Sequence, residues 1–271
     1  SEMCIRDRSD RDVPAVSSDY CFMCRDPKEE EAAAKEEEAV NAEEELNVKT
    51  EKLVILNVKD SQTGCVRPHL VPRKGVSAVP WIAKEVANDF VIWGHNNCIF
   101  KSDQEPSMIA LYNEVAKLRA PYRLVPEHSP KGDSQSNGLI ERGNRSVKGQ
   151  VRVLLLALEA NLMTRIDLWH PILSWMVAHA GYIITHFEIG KDGRTAYERL
   201  KGKATVKDLC EFGEKILYMP LKVSGGLASA EARYKPGVWL GIDERSSEVF
   251  VGTDEGKIVG ARSVKRVPVE E

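Results

Sequence analysis

Apolar residues recur along the chain in two rhythms: alternating or continuous over short runs, and every third or fourth position over longer ones. Residues 19–24 (DYCFMC) read as a short strand, opened by Asp19. Two more strands follow at 52–58 (KLVILNV) and 65–71 (CVRPHLV), joined by DSQTG at 60–64, whose residue types favour a turn. Over 76–90 the apolar positions Val79, Ile82, Val86 and Phe90 fall at helical spacing, with Gly94 beyond the end. CIFK at 98–101 is a fourth strand, ending at Ser102 and Asp103. Pro106 suits the first turn of a helix that runs to about Arg119 on Ile109, Leu111, Tyr112, Val115 and Leu118. YRLV at 122–125 is a fifth strand, 126–137 a polar loop, and 138–161 a long amphipathic helix. Three strands, a helix, a strand, a helix, a strand and a helix predict an α/β fold with a mixed five-stranded sheet. A further helical stretch over 167–187 (Trp169, Ile172, Trp175, Met176, His179, Ile183) is expected to pack on that sheet.

The remainder changes character. Residues 193–203 look like a linker, and short strands follow at 215–219, 238–242, 249–251 and 258–262, punctuated by Gly237, Gly241, Gly252 and Gly256. The expected division is an unstructured segment at 1–12, an α/β core at 13–190, a linker at 191–204 and a small antiparallel β domain at 205–268. Residues 26–51 interrupt the core with eleven acids against three bases, a net −8 within a chain of net charge −3. They read as an insertion between the first two strands, solvated as a helix or disordered. The rest of the chain then carries +5, a balance that suits a nucleic-acid partner.

Composition narrows the classes further. No run of 18 apolar residues is present, so no transmembrane helix is expected. The first residues lack both an initiator Met and an apolar leader, which suggests a piece of a longer polyprotein or an imperfect gene model. Six scattered cysteines are too few for a disulfide framework and suit a reducing compartment. Cys21 and Cys24 form a lone CxxC with no second ligand pair, and read as small apolar side chains of a strand rather than a zinc site. The five tryptophans read as core or interface residues, and no G-x-S-x-G elbow surrounds any serine.

Three acids stand out by position: Asp19 in the first strand, Asp103 at the end of the fourth, and Glu141 in the first turn of the long helix. Singly, each is an ordinary turn, cap or helix-dipole residue. Together, in this element order, they converge from distant parts of the sequence. Three carboxylates are what two Mg²⁺ (or Mn²⁺) ions need for in-line phosphoryl transfer, because such ions take hard oxygen ligands. Along the long helix Glu141, Asn144, Lys148 and Arg152 share one stripe, flanked by Arg142 and Arg145, while Leu139, Val147, Val151, Leu154, Leu155 and Leu158 form the opposite one. The polar stripe suits a phosphate backbone.

These residues resemble the catalytic core of retroviral and retrotransposon (copia-like) integrases, in the RNase H-like DDE superfamily. KSDQEP at 101–106 and SQSNGLIERGNRSVK at 134–148 carry the resemblance most specifically, with 37 residues between Asp103 and Glu141. VPRKG at 71–75, Asp19-Tyr20, Phe212-Gly213-Glu214 and GVWLGI at 237–242 fit as well. The resemblance implies an RNase H-like fold and metal-dependent processing and strand transfer of element DNA. Asp19, Asp103 and Glu141 would hold two metal ions, and Asn144, Lys148, Arg142, Arg145 and Arg152 would meet DNA. It also implies a mobile loop over 127–137, self-association and a nuclear site of action. Two features depart from the family: the long gap between Asp19 and Asp103, and the absence of a His/Cys zinc module before the core. Two other readings stay open, namely a related RNase H-like nuclease or transposase, and an inactive or domesticated DNA-binding remnant.

Overall fold

The computed structural model describes residues 13–26, 52–77, 79–128, 134–220 and 232–267, with 134–136 described by backbone alone. The segment 1–12, most of the acidic stretch and the centre of the loop expected over 127–137 lie outside these residues. Nine strands and five helices are described: β1 (Ala15–Cys24), β2 (Lys52–Asp60), β3 (Val66–Val71), α1 (Ile82–Ile92), β4 (Cys98–Ser102), α2 (Pro106–Leu118), β5 (Leu124–His128), α3 (Ser134–Leu162), α4 (Ile172–Phe187), α5 (Ala196–Lys201), β6 (Lys215–Pro220), β7 (Lys235–Ile242), β8 (Val249–Gly252) and β9 (Ile258–Arg266).

The first five strands form one sheet in the order β3-β2-β1-β4-β5. β1, β2 and β3 pair antiparallel, while β4 runs parallel to β1 and β5 parallel to β4. This is the RNase H-like arrangement, and the mixed sheet expected from the element order is the one observed. β1 is buried on both faces, so its alternate side chains serve two cores. Tyr20 and Phe22 pack with the α1–α2 layer, where Phe90, Phe100 and Met108 are fully enclosed. Cys21 and Met23 pack with Val147, Val151, Leu155 and Leu158 of α3, an i, i+4, i+8, i+11 stripe facing the sheet. Cys21 and Cys24 therefore face opposite sides of the sheet and share no ligand geometry.

The acidic stretch joins β1 to β2, and the pairing around it is continuous from Cys24↔Lys52 to Val16↔Asp60. The strands themselves are not displaced by what connects them.

β6-β7-β8-β9 close into a small antiparallel barrel around Trp239, Ile216 and Val251. The barrel docks on α4. Trp175 meets Phe250 with ring centroids 4.9 Å apart, and the β7 backbone crosses His179 at Gly241, where φ is +132° and a Cβ would lie 3.3 Å from the imidazole Nδ1. Arg67 of β3 ties the two parts together, donating to the fully buried Asp89 of α1 and to Glu244 after β7.

Several boundaries differ from the sequence reading, each for a local reason. β1 begins four residues before Asp19, because Ala15 and Val16 are buried against β4. α1 begins at Ile82 rather than near 76, since Pro80 biases Val79 away from helical dihedrals. β5 runs on through His128, and α3 begins four residues earlier than expected. The stretch read as a linker carries α5, fixed by a reciprocal capping box between Thr195 and Glu198 and closed by Gly202 in the left-handed region. Two tryptophans read as core or interface, Trp81 and Trp169, are about half exposed, at 50% and 57%.

Candidate active site

The parallel pairing of β1 with β4 aligns Ala15 with Ile99, Val16 with Phe100 and Ser17 with Lys101. The same offset carried two residues further sets Asp19 level with Asp103. Backbone pairing between the strands stops at Ser17, so both carboxylates stand where β1 and β4 part. This is also where the chain order reverses across the sheet, with β2 and β3 to one side of β1 and β4 and β5 to the other. Open α/β sheets bind ligands at such switch points, outside the carboxyl ends of the parallel strands.

The electrostatics follow from that placement. The Asp19 carboxyl is pushed up to about 7, first by burial and then by the charge of Asp103. The amide of Asn144 works against the rise, donating to Asp19 Oδ2 at 2.8 Å. Asp103 is also raised, chiefly by burial and then by the charge of Glu105, while the Glu105 backbone N–H holds it down from 3.3 Å.

Asn144 is itself oriented. Its Oδ1 accepts from Asn57 Nδ2 at 3.0 Å, and Asn57 is the cross-strand partner of Asp19 on β2. Three side chains from β2, α3 and β1 thus form a buried line that ends on the carboxylate. Sequence reasoning set Asn144 on the DNA-facing stripe. Its side chain points into the protein and is 8% exposed, which commits its hydrogen bonds to the interior.

The other expected residues lie further out. Glu141 is exposed on α3, one turn before Asn144, and is not among the charges acting most on Asp19 or Asp103. Among the described residues no three Asp, Glu, His or Cys side chains come close enough to hold a cation together. The structure therefore brings Asp19 and Asp103 together and leaves Glu141 apart from them. Residues three apart on a helix have Cβ atoms about 5–6 Å from one another. Glu141 is consequently one side-chain swing from the group that touches Asp19. Arg142, Arg145 and Arg152 are exposed along the same helix, and Lys148 is half-buried.

Two residues of this region escaped the sequence reading. Glu105, just before α2, pairs with Lys74 at 2.9 Å, and both act on Asp19 and Asp103. Lys74 belongs to the VPRKG run, and its ammonium also stands 5.6 Å from the Tyr20 ring. A second acid two positions after Asp103 was the available signal.

No family model matches the chain, and no curated protein matches it. Among solved structures it is similar to the HTLV-2 integrase catalytic core domain in complex with magnesium, at 13% identity and a TM-score of 0.46 over 69% of this chain and 95% of that one. It is similar to a simian T-cell lymphotropic virus intasome in complex with PP2A regulatory subunit B56 gamma, at 12% identity and a TM-score of 0.47 over 95% of this chain and 79% of that one. It is also similar to the BIV integrase catalytic core domain, at 14% identity and a TM-score of 0.42 over 69% of this chain and 92% of that one. Roles for individual residues rest on the geometry above.

Proposed function

We propose that the chain is an integrase-like polynucleotidyl transferase of retroelement type, cutting and joining DNA at a divalent-metal site built on Asp19 and Asp103 and completed by Glu141. One observation carries the reading: just beyond the paired part of two adjacent parallel strands, at the switch point of the sheet, two carboxylates stand close enough for the charge of Asp103 to act on Asp19. Burial disfavours both ionised forms, and a neighbouring charge adds to it, that of Asp103 at Asp19 and that of Glu105 at Asp103. A hard cation offsets both effects, so the donors fit Mg²⁺ or Mn²⁺. Bound there, two such ions stabilise the attacking and leaving oxygens of an in-line displacement at phosphorus.

The chain's own contribution is positional. Asn57 and Asn144 fix the direction of Asp19. Glu141 supplies the third carboxylate by turning along the flank of α3. Arg142, Arg145, Lys148 and Arg152 give the DNA backbone a cationic ridge. An oxygen of water, or of a DNA 3′-hydroxyl, bonds to phosphorus as the scissile P–O bond breaks. Self-association around two DNA ends, and action in the nucleus, belong to the same reading.

The test is cleavage and joining of a labelled DNA duplex in Mn²⁺ or Mg²⁺, with isothermal titration of the metal alongside. Products that need the metal, and fall roughly 100-fold or more in Asp103→Asn and Glu141→Gln, are expected. Activity that survives Glu141→Gln moves the third ligand to Glu105. DNA binding with neither activity nor metal uptake favours the inactive remnant.

A further inference from the structure

On the flank of α3 away from Asp19 lies a cleft of about 450 Å³ lined by Lys59, Leu139, Arg142, Arg145, Ser146 and Glu188. At about 100° per residue, Leu139 and Ser146 stand roughly 160° around the helix from Glu141 and Lys148. The carboxylate pair lies over β1 and the cleft over the end of β2, with α3 as the ridge between them. Lys59 is two residues beyond Asn57 on β2, so both side chains rise from the same face of the sheet. α3 comes close at this point because residue 143 is glycine. A Cβ there would meet Lys59 Cδ at 3.1 Å and Asn57 Nδ2 at 3.2 Å.

Three cations and one carboxylate share this cleft. Among the described residues neither the Lys59 nor the Arg145 side chain has a hydrogen bond or ion pair, and Arg142 spends its Nε on the Gly138 carbonyl at 3.0 Å. Burial and then the charge of Arg142 lower the Lys59 ammonium from its ordinary value, and Glu188 opposes them. Gathered like charges with unused donors and a neighbouring hydroxyl at Ser146 are complementary to an oxyanion.

We propose that this cleft is a second phosphate site, which takes a backbone phosphate of the nucleic acid at a point separate from the one held by the carboxylates. The proposal rests on the nucleic-acid reading above. The exposed arginines of α3 then connect the two sites across the ridge. Glu188 is the built-in competitor for Lys59 and tempers the affinity.

The experiment is equilibrium binding of a labelled DNA duplex to the full chain, as a function of salt, in chelator so that no metal engages the carboxylates. Lys59→Met keeps the aliphatic stem over Gly143 and removes the charge. It is expected to weaken binding about tenfold irrespective of DNA sequence, and to reduce the slope of log affinity against log salt by about 1. Glu188→Gln, an exposed change that does not disturb folding, is expected to tighten binding. Wild-type affinity and slope in both variants would overturn the second site while leaving metal-dependent cleavage, and with it the functional reading, standing. Titration with inorganic phosphate, read on the ¹⁵N signal of the Lys59 ammonium, separates the sources. A response there with no effect of either variant on DNA binding would mean a free-phosphate site, and would also overturn the proposal.

Discussion

Asp19 is the residue on which the electrostatics of the carboxylate pair converge. Its carboxyl titrates near 7 in the folded chain and near 3.8 when unfolded. Between those values the folded chain binds the extra proton, so stability falls as pH rises from about 4 to about 7 and levels off above. Asp19→Asn keeps an acceptor for Asn144 and removes the charge. It is expected to raise stability by roughly 2–3 kcal/mol at pH 8 and to change little below pH 4, as read by denaturant unfolding. Added Mg²⁺ should stabilise the wild type and leave the variant nearly unmoved, because ligand binding to the folded state is what shifts the balance. The position of Asp19 was legible from strand patterning and the two acids that follow it. The role of Asn144 was not. Helical spacing groups it with Glu141 and Lys148, and only the cross-strand neighbour Asn57 shows that its amide turns inward. Lys59 was hidden for the same reason: a lysine in a strand reads as solvated until a helix lies over it.

At the scale of elements, packing decides where patterning leaves off. α4 lies against β3 so closely that a Cβ on Gly181 would stand 2.2 Å from Pro68 Cδ, a ring atom that cannot move aside. Alanine in a helix interior ordinarily gains about 1 kcal/mol over glycine. Here Gly181→Ala is expected to destabilise by about 1–3 kcal/mol instead, through overpacking, with thermal unfolding as the measurement. Long periodic elements were readable: α2, α3 and the four barrel strands stand close to where their patterns put them. α5 was missed although its signal was present, since T-x-x-E at 195–198, inside the stretch read as a linker, is a capping box. The start of α1 was misplaced because apolar spacing ran straight through Pro80.

For the whole molecule, the sheet, the helices and the barrel share one framework. Arg67 reaches from the edge of the sheet to α1 and to the barrel at once, and α4 is packed on both. The acidic connection matters here through its length. It joins two strands whose nine paired positions are unbroken, and it adds 27 residues between Cys24 and Lys52. Closing a loop of that length, rather than one of four residues, costs roughly 1.5 kcal/mol of chain entropy. Replacing residues 26–51 with a four-residue turn, which keeps Arg25 and its ion pair with Glu159, is therefore expected to stabilise the protein by about that amount and to leave metal-dependent DNA cleavage unchanged, as judged by unfolding and the duplex assay.

The continuous ladder of β1 has an experimental use as well. Its far end at Cys24 lies five residues beyond Asp19 along a largely buried strand. A fluorescent reporter spliced into the connection at that end would be linked to the carboxylates through five residues of paired strand. Energy transfer from labelled duplex ends to such a reporter would follow the substrate into register with Asp19 during a single turnover.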